Sequence, residues 1–202
     1  MSQVAHPKRA LWTSRELNSL FVGTASDEAV GPGMSTEDIY RVAIDSRLVE
    51  PGDLFVALAG DPGERFNPSV RSTADGHDYV ADAASKGAAA ALVSRTQSVD
   101  IPQYRVEDTY SGLWALGAAA RNRLRLTGPV IAVTGSSGKT TAKTFLSTAL
   151  DAYAPPGSLN NHIGVPLSLA NASQDASGWV FEVGTSHPGE IAPLTQMVRP
   201  DL

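Results

Sequence analysis

The sequence predicts an α/β protein, with a small N-terminal α/β domain followed by an incomplete P-loop domain built on a parallel sheet. Three observations carry that expectation. The apolar, strand-type run Val130–Val133 enters a Gly-containing loop, Thr134–Gly138, which opens into Lys139-Thr140-Thr141 and a helix-forming stretch. Strand-like and helix-like segments alternate along the chain, the rhythm of parallel strands joined by helical crossovers. Gly128-Pro129 punctuates the chain directly before the loop-bearing unit.

Each element follows from local chemistry. Thr13-Ser14-Arg15-Glu16 reads as a capping box opening a short helix through Leu20. Residues 23–35, rich in Gly, Ser, Thr and Pro, read as loop. Ile39–Ile44 is strand-like, Glu50–Asp53 is a turn and Leu54–Leu58 is a buried strand. Gly60–Gly76 reads as a long surface loop. Tyr79–Lys86 is helical with Gly87 at its C-terminal end, and Ala89–Val93 is another buried strand. The clearest helix is Thr109–Leu124, with Leu113, Leu116 and Ala120 on one face. A further helix runs from Lys139 to Tyr153, followed by turns at Pro155-Pro156-Gly157 and Asn160-Asn161-His162. Trp179–Val183 is a strand, and Pro188 fits the first position of a last helix ending at Val198. The first domain is expected over residues 1–108. The second is expected over 109–202, with the Thr109 helix as connector and the P-loop unit starting after Gly128-Pro129.

The loop departs from the strict G-x-x-x-x-G-K-[ST] pattern, whose first glycine would fall where Val133 stands. Phosphate chemistry nevertheless remains. Backbone N–H groups of Gly135, Ser136, Ser137 and Gly138, and of the helix N-terminus at Lys139, Thr140 and Thr141, point at an anion that the helix dipole favours. Lys139 would reach the outer phosphates of a nucleoside triphosphate, and the Thr140 hydroxyl would sit on Mg²⁺. The bland alternative is a Gly/Ser turn before a helix. The strand upstream and the Lys-Thr downstream weigh against it.

Glu182 lies near the carboxyl end of a strand, where ligands of open parallel sheets gather. A carboxylate there can hold Mg²⁺ against the phosphates. A surface ion pair is the alternative. Asn160-Asn161-His162 is a polar cluster set against Ile163-Gly164-Val165-Pro166. Taken alone it reads as a turn with a surface or capping histidine. His187, before Pro188 and three residues from Glu190, reads more readily as a helix N-terminus than as a catalytic group. Ser46 and Arg47 of Asp45-Ser46-Arg47 can bind a diphosphate, with a loop ion pair as the equal alternative. Asp75-Gly76-His77 can simply begin the helix after it.

Composition narrows the classes. The chain has 202 residues, 42% of them apolar, and a formal net charge of −5, which suits an acidic globular enzyme and not a nucleic-acid scaffold. It has no cysteine, so disulfides and thiolate metal sites are excluded and a reducing cytoplasm fits. Met1–Arg9 has no signal-peptide apolar stretch, and the longest apolar run, Ala88–Val93, is too short to cross a bilayer.

Four blocks together resemble the Mur ligases from Leu11 onward. They are Asp45-Ser-Arg-Leu-Val-Glu-Pro-Gly-Asp-Leu-Phe-Val-Ala-Leu58, then Asp75-Gly-His-Asp-Tyr-Val80 with Lys86-Gly-Ala88, then Val133-Thr-Gly-Ser-Ser-Gly-Lys-Thr-Thr141, and finally Asn160-Asn-His-Ile-Gly-Val-Pro166 with Glu182-Val-Gly-Thr-Ser-His-Pro-Gly-Glu-Ile191. The last pair is most similar to the branch that adds D-alanyl-D-alanine. Residues 67–74 look like an insertion relative to the commonest pattern.

The resemblance implies a first domain for a UDP-sugar and the opening part of a central ATPase domain. The family's later metal-binding histidine, carbamylated lysine and C-terminal domain lie outside it, so these residues alone are expected to be inactive. The implied cofactors are ATP and Mg²⁺. The implied partners are UDP-N-acetylmuramoyl-tripeptide and D-alanyl-D-alanine, with no nucleic acid and no membrane insertion, in a protein that is a cytoplasmic monomer when full length. The family reaction makes an acyl phosphate of the tripeptide carboxylate, which the dipeptide amine then attacks to form an amide in peptidoglycan precursor synthesis. By resemblance Lys139 contacts the β/γ-phosphates, Thr140 and Glu182 serve Mg²⁺, and Asn160 or Asn161 lies near both. Ser46 and Arg47 would contact the UDP-sugar, with Asp75, Gly76 and His77 nearby. The alternatives are the sister ligase adding the third amino acid, a UDP-sugar-binding module without catalysis, and a nucleotide switch.

Overall fold

The structure, a computed structural model, describes residues 9–21, 38–60, 74–124, 128–184 and 189–202. Among these, one compact unit extends to Gly112 and a second begins at Leu113. Pro188 and His187, and the loop and insertion expected around residues 61–73, lie outside the described residues.

In the first unit, β1 (Arg41–Ala43), β2 (Asp53–Val56), β3 (Ala90–Val93) and β4 (Gln103–Arg105) form one sheet in that order, all parallel. Every residue of β2 and β3 is buried, which is why β3, and β2 after Asp53, read as unbroken apolar runs and not as alternating ones. The helix α2 (Val80–Ser85) brings Val80 and Ala83 onto Phe55, Ala57, Ala91 and Val93, the centre of the core. The capping box forms as expected at α1 (Ser14–Phe21). Thr13 Oγ1 accepts from the Glu16 amide at 3.2 Å, and Glu16 Oε2 accepts from the Thr13 amide at 2.7 Å. The Asp53 carboxylate, fully buried at the start of β2, takes two guanidinium nitrogens of Arg41, the shortest contact being 2.6 Å. That pair ties β1 to β2.

Local reading missed β4. It is three residues long, follows Pro102, and exists because β3 offers it a parallel edge. The expected helix at Tyr79 starts one residue later, preceded by a 3₁₀ turn over Gly76–Tyr79.

In the second unit, β5 (Val130–Val133) and β6 (Trp179–Glu182) pair in parallel. The helix α3 (Thr109–Leu124), whose first four residues belong to the first unit, has the bounds expected from its pattern. The helix α4 (Lys139–Leu150) stops three residues early. Asp151 turns left-handed at φ 49°, and the backbone of Tyr153 then bonds Gly178 and Val180 alongside β6. A short helix, α5 (Gly164–Ala170), was also missed, because Gly, Pro and Ser are poor helix signals. It packs against α3, where the Gly117 Cα approaches so closely that a Cβ would lie 2.8 Å from Pro166. The last helix, α6 (Ile191–Val198), is held to α3 by the buried Arg121 guanidinium, which donates to the carbonyls of Val198 and Arg199.

The outer side of β5 is partly paired by the last residues of the chain. Asp201 N donates to Val130 O at 2.7 Å, and Ala132 N donates to Leu202 O at 3.0 Å. No helix among the described residues is long and apolar enough to cross a membrane.

Candidate active site

The loop after β5 is shaped by two glycines with positive φ, Gly135 at 143° and Gly138 at 76°. L-side chains rarely adopt either angle, so the loop's path depends on glycine at both positions. Gly138 is also the N-cap of α4 and has no side chain to cap it, so the first-turn amides remain suited to an anion. Ser136 and Ser137 are exposed between the two glycines. Lys139 Nζ lies back across the loop and donates to Gly135 O at 2.7 Å.

Beneath the loop, Glu182 ends β6 with 1% exposure. Its two oxygens face different parts of the chain. Oε2 accepts from Thr140 Oγ1 at 3.0 Å and lies 3.7 Å from Lys143 Nζ. Oε1 accepts from Ser158 Oγ at 3.0 Å and Asn160 Nδ2 at 3.1 Å. Burial pushes the Glu182 carboxyl up, but the hydrogen bonds from Asn160, Ser158 and Thr140, with the Lys143 charge, outweigh it and hold the group below its usual range.

This arrangement separates the two asparagines. Asn160 is brought to the carboxylate, but Asn161 is turned away. Asn161 Oδ1 accepts from the amides of Ile163 and Gly164 at 3.1 and 2.8 Å, organising the start of α5. His162 contributes its carbonyl to Trp114 Nε1 at 2.8 Å, and burial lowers its ring pKa. Sequence reasoning passed over three contributors: Ser158, Lys143 and Gly184. Gly184 leaves room for Asn160, since a Cβ there would meet its amide at 2.9 Å. The available signal for Lys143 was its spacing, three residues beyond Thr140 and so on the same helix face.

The donors suit Mg²⁺. A buried carboxylate and an adjacent hydroxyl are hard oxygen ligands, and one or two protein groups beside phosphates are the usual setting for that ion. No cluster of three or more His, Cys, Asp or Glu residues among the described ones offers an all-protein metal cage.

In the first unit, Asp45 pairs with Arg47, Nη2 to Oδ2 at 2.6 Å, and its pKa is lowered to about 2 by that contact. Arg47 is 83% exposed at its side chain, so the pair adds little to stability. Ser46 is buried, and its carbonyl accepts from Lys86 Nζ at 2.9 Å. Asp75-Gly76-His77 does begin a turn, and it is firmly built. His77 is buried, its Nδ1 lies 2.6 Å from Asp75 Oδ1, and its Nε2 accepts from the Ser94 amide at 2.9 Å. The proton therefore sits on Nδ1, and both ring nitrogens are engaged by protein. Gly76 passes so close to the backbone just after β2 that a Cβ would meet Leu58 N at 2.7 Å and Leu58 O at 2.8 Å. Gly76→Ala is expected to destabilise the first unit by about 1–3 kcal/mol, measured by urea unfolding. An unchanged midpoint would contradict the close approach.

Asp75 yields a pH prediction. Burial raises its pKa, but bonds from the His77 amide and ring and from Arg95 bring it from 3.8 to about 2. A carboxylate with a depressed folded-state pKa contributes stability above its ordinary value and loses it as pH falls toward the folded value. Wild type is therefore expected to be more stable than Asp75→Asn at pH 6, with the gap closing between roughly pH 4 and 2. A gap independent of pH would rule out the ionic contribution.

A glycine-turned loop feeding a helix, above a buried strand-end carboxylate, defines a P-loop protein of the parallel-sheet α/β class. Residues 133–202 match the Mur ligase middle domain. It is 40% identical over 164 residues to the UDP-N-acetylmuramoyl-tripeptide–D-alanyl-D-alanine ligase of Escherichia coli (strain K12), covering 79% of this chain and 33% of the relative. The fold is similar to the UDP-N-acetylmuramoylalanyl-D-glutamyl-2,6-diaminopimelate–D-alanyl-D-alanyl ligase of Acinetobacter baumannii, with TM-score 0.76, 36% identity, and coverage of 98% of this chain and 41% of that one. The MurF ligase of Thermotoga maritima in complex with ADP matches at TM-score 0.58 and 34% identity, covering 78% of this chain and 35% of that one. The chain thus spans between a third and about two-fifths of the length of these relatives.

Proposed function

We propose that this chain supplies the UDP-sugar and nucleotide sites of an ATP-dependent ligase that joins D-alanyl-D-alanine to UDP-N-acetylmuramoyl-tripeptide in peptidoglycan precursor synthesis. The observation that carries the reading is the Thr140–Glu182 contact. A P-loop hydroxyl and a buried strand-end carboxylate meet at 3.0 Å, where a metal bound to nucleotide phosphates would sit. The similarity to D-alanyl-D-alanine ligases and to a relative holding ADP supports it.

In this reading residues 1–108 bind the UDP-sugar through Ser46 and Arg47, and residues 109–202 bind ATP. His77 and Gly76 shape the UDP-sugar site without presenting a free ring nitrogen, and Asp75 anchors them. The amides from Gly135 to Thr141 and the Lys139 ammonium hold the phosphates and offset the charge that develops during phosphoryl transfer. Thr140 and Glu182 would hold Mg²⁺, which supplies charge neutralisation at the phosphates. Asn160 keeps the carboxylate oriented. The tripeptide carboxylate takes the γ-phosphoryl, and the dipeptide amine displaces phosphate to form the amide. The complete enzyme acts as a cytoplasmic monomer.

Calorimetry tests the reading. ATP with Mg²⁺ and UDP-N-acetylmuramoyl-tripeptide are each expected to bind the chain, with Glu182→Gln removing the Mg²⁺ dependence of ATP binding. No heat with either ligand would sink it, and binding of the UDP-sugar alone would favour a non-catalytic module.

A further inference from the structure

Lys143 is an ammonium with 3% exposure, on the α4 face one turn beyond Thr140. A buried lysine needs acceptors for its protons and a counter-charge. It has both. Nζ donates to Pro155 O at 2.8 Å and to Gly157 O, and it lies 3.7 Å from Glu182 Oε2. The two carbonyls belong to a segment with no regular hydrogen-bonding partner strand, Pro155-Pro156-Gly157-Ser158. That segment delivers Ser158 Oγ and Asn160 Nδ2 to the other carboxylate oxygen.

We propose that Lys143 is a positioning residue for the metal seat. It pins the 155–160 segment by its backbone and turns the Glu182 carboxylate so that one oxygen faces the P-loop and the other is held by Ser158 and Asn160. This rests on the nucleotide-site reading above, and it adds a residue that does not touch nucleotide. The geometry makes the ammonium a hub. One side chain on the P-loop helix reaches both the loop carrying Ser158 and the carboxylate that loop orients. Removing the ammonium therefore frees the segment and the carboxylate together, while the phosphate-binding amides and Lys139 stay in place. Metal-linked affinity and metal-free affinity should then separate, a split that a purely structural lysine would not produce.

The experiment compares wild type with Lys143→Met, a substitution of similar length without the charge. Amide hydrogen exchange in ligand-free protein is expected to quicken at least tenfold over residues 157–160, with β5 and β6 unchanged. ATP affinity in EDTA is expected to stay within twofold, whereas the gain in affinity on adding Mg²⁺ falls at least fivefold. Unchanged exchange over 157–160, or an unchanged Mg²⁺ gain in a folded variant, overturns the proposal. If Lys143→Met does not fold, wild-type NMR decides. A slowly exchanging Lys143 ammonium coupled to the carbonyls of Pro155 and Gly157 supports the proposal, and a rapidly exchanging one overturns it. If wild type itself shows no Mg²⁺ gain, the nucleotide-site reading falls, while the exchange result still decides whether Lys143 holds the segment.

Discussion

Glu182→Leu is expected to lower the unfolding free energy of the second unit by about 3–5 kcal/mol, the cost of removing one partner from a buried ion pair. The loss comes from what the leucine leaves behind. Glu182 is 1% exposed and accepts four contacts, from Thr140, Ser158, Asn160 and Lys143. Leucine fills similar volume but satisfies none of these donors. Ser158 and Asn160 lose their acceptor, and the Lys143 ammonium loses its counter-charge while still buried. Glu182→Gln retains an acceptor oxygen and should cost less. The measurement is urea unfolding followed by amide signals of β5 and β6. A loss under about 0.5 kcal/mol, the usual range of a surface change, would show that the carboxylate is not the keystone of this network.

Lys139→Ala is expected to weaken ATP binding roughly ten- to hundredfold, from the 1.5–3 kcal/mol of a charge-assisted contact, with stability changed by no more than about 0.5 kcal/mol. The two effects separate because the side chain makes one bond in the fold, to Gly135 O at 2.7 Å, at an exposed position. The fold therefore makes little use of this side chain, and its proposed role is toward phosphate. In a full-length enzyme the loss of turnover should exceed the loss of binding, since charge accumulates on the transferring phosphoryl group. Calorimetric titration of ATP into the chain checks the first figure. An affinity within twofold of wild type would remove Lys139 from the phosphate site.

These two residues show how legible the site was. Lys139 follows a Gly-containing loop, and Glu182 ends an apolar strand, so strand–loop–helix chemistry located both. The α/β class and the elements with strong periodicity or caps were equally legible: α1 through its capping box, α3 through its apolar face, and β2, β3 and β6 through unbroken apolar runs. Their signals lie within a few residues and survive without tertiary context. The strict phosphate-loop pattern was absent at Val133, yet the positive φ of Gly135 and Gly138 gives the loop the turns it needs.

What the chain order could not convey was pairing at a distance. β4 is three residues made into a strand by β3. Which asparagine faces the carboxylate depends on a turn: Asn160 reaches Glu182 while Asn161 organises α5, although both are identical as neighbours in sequence. His77 has the composition of a surface turn but is buried because Ser94 offers an amide to its ring. Sequence alone determined the fold class, the glycine-turned loop before α4 and the strand-end acid Glu182, because each is encoded by short-range pattern and conformational preference. The tertiary structure alone decided the partners of that acid, with Lys143, Ser158 and Asn160 converging from separate segments. The physical reason is that burial and hydrogen-bond satisfaction depend on what surrounds a group, and those surroundings come from residues up to 42 positions away, as between Thr140 and Glu182.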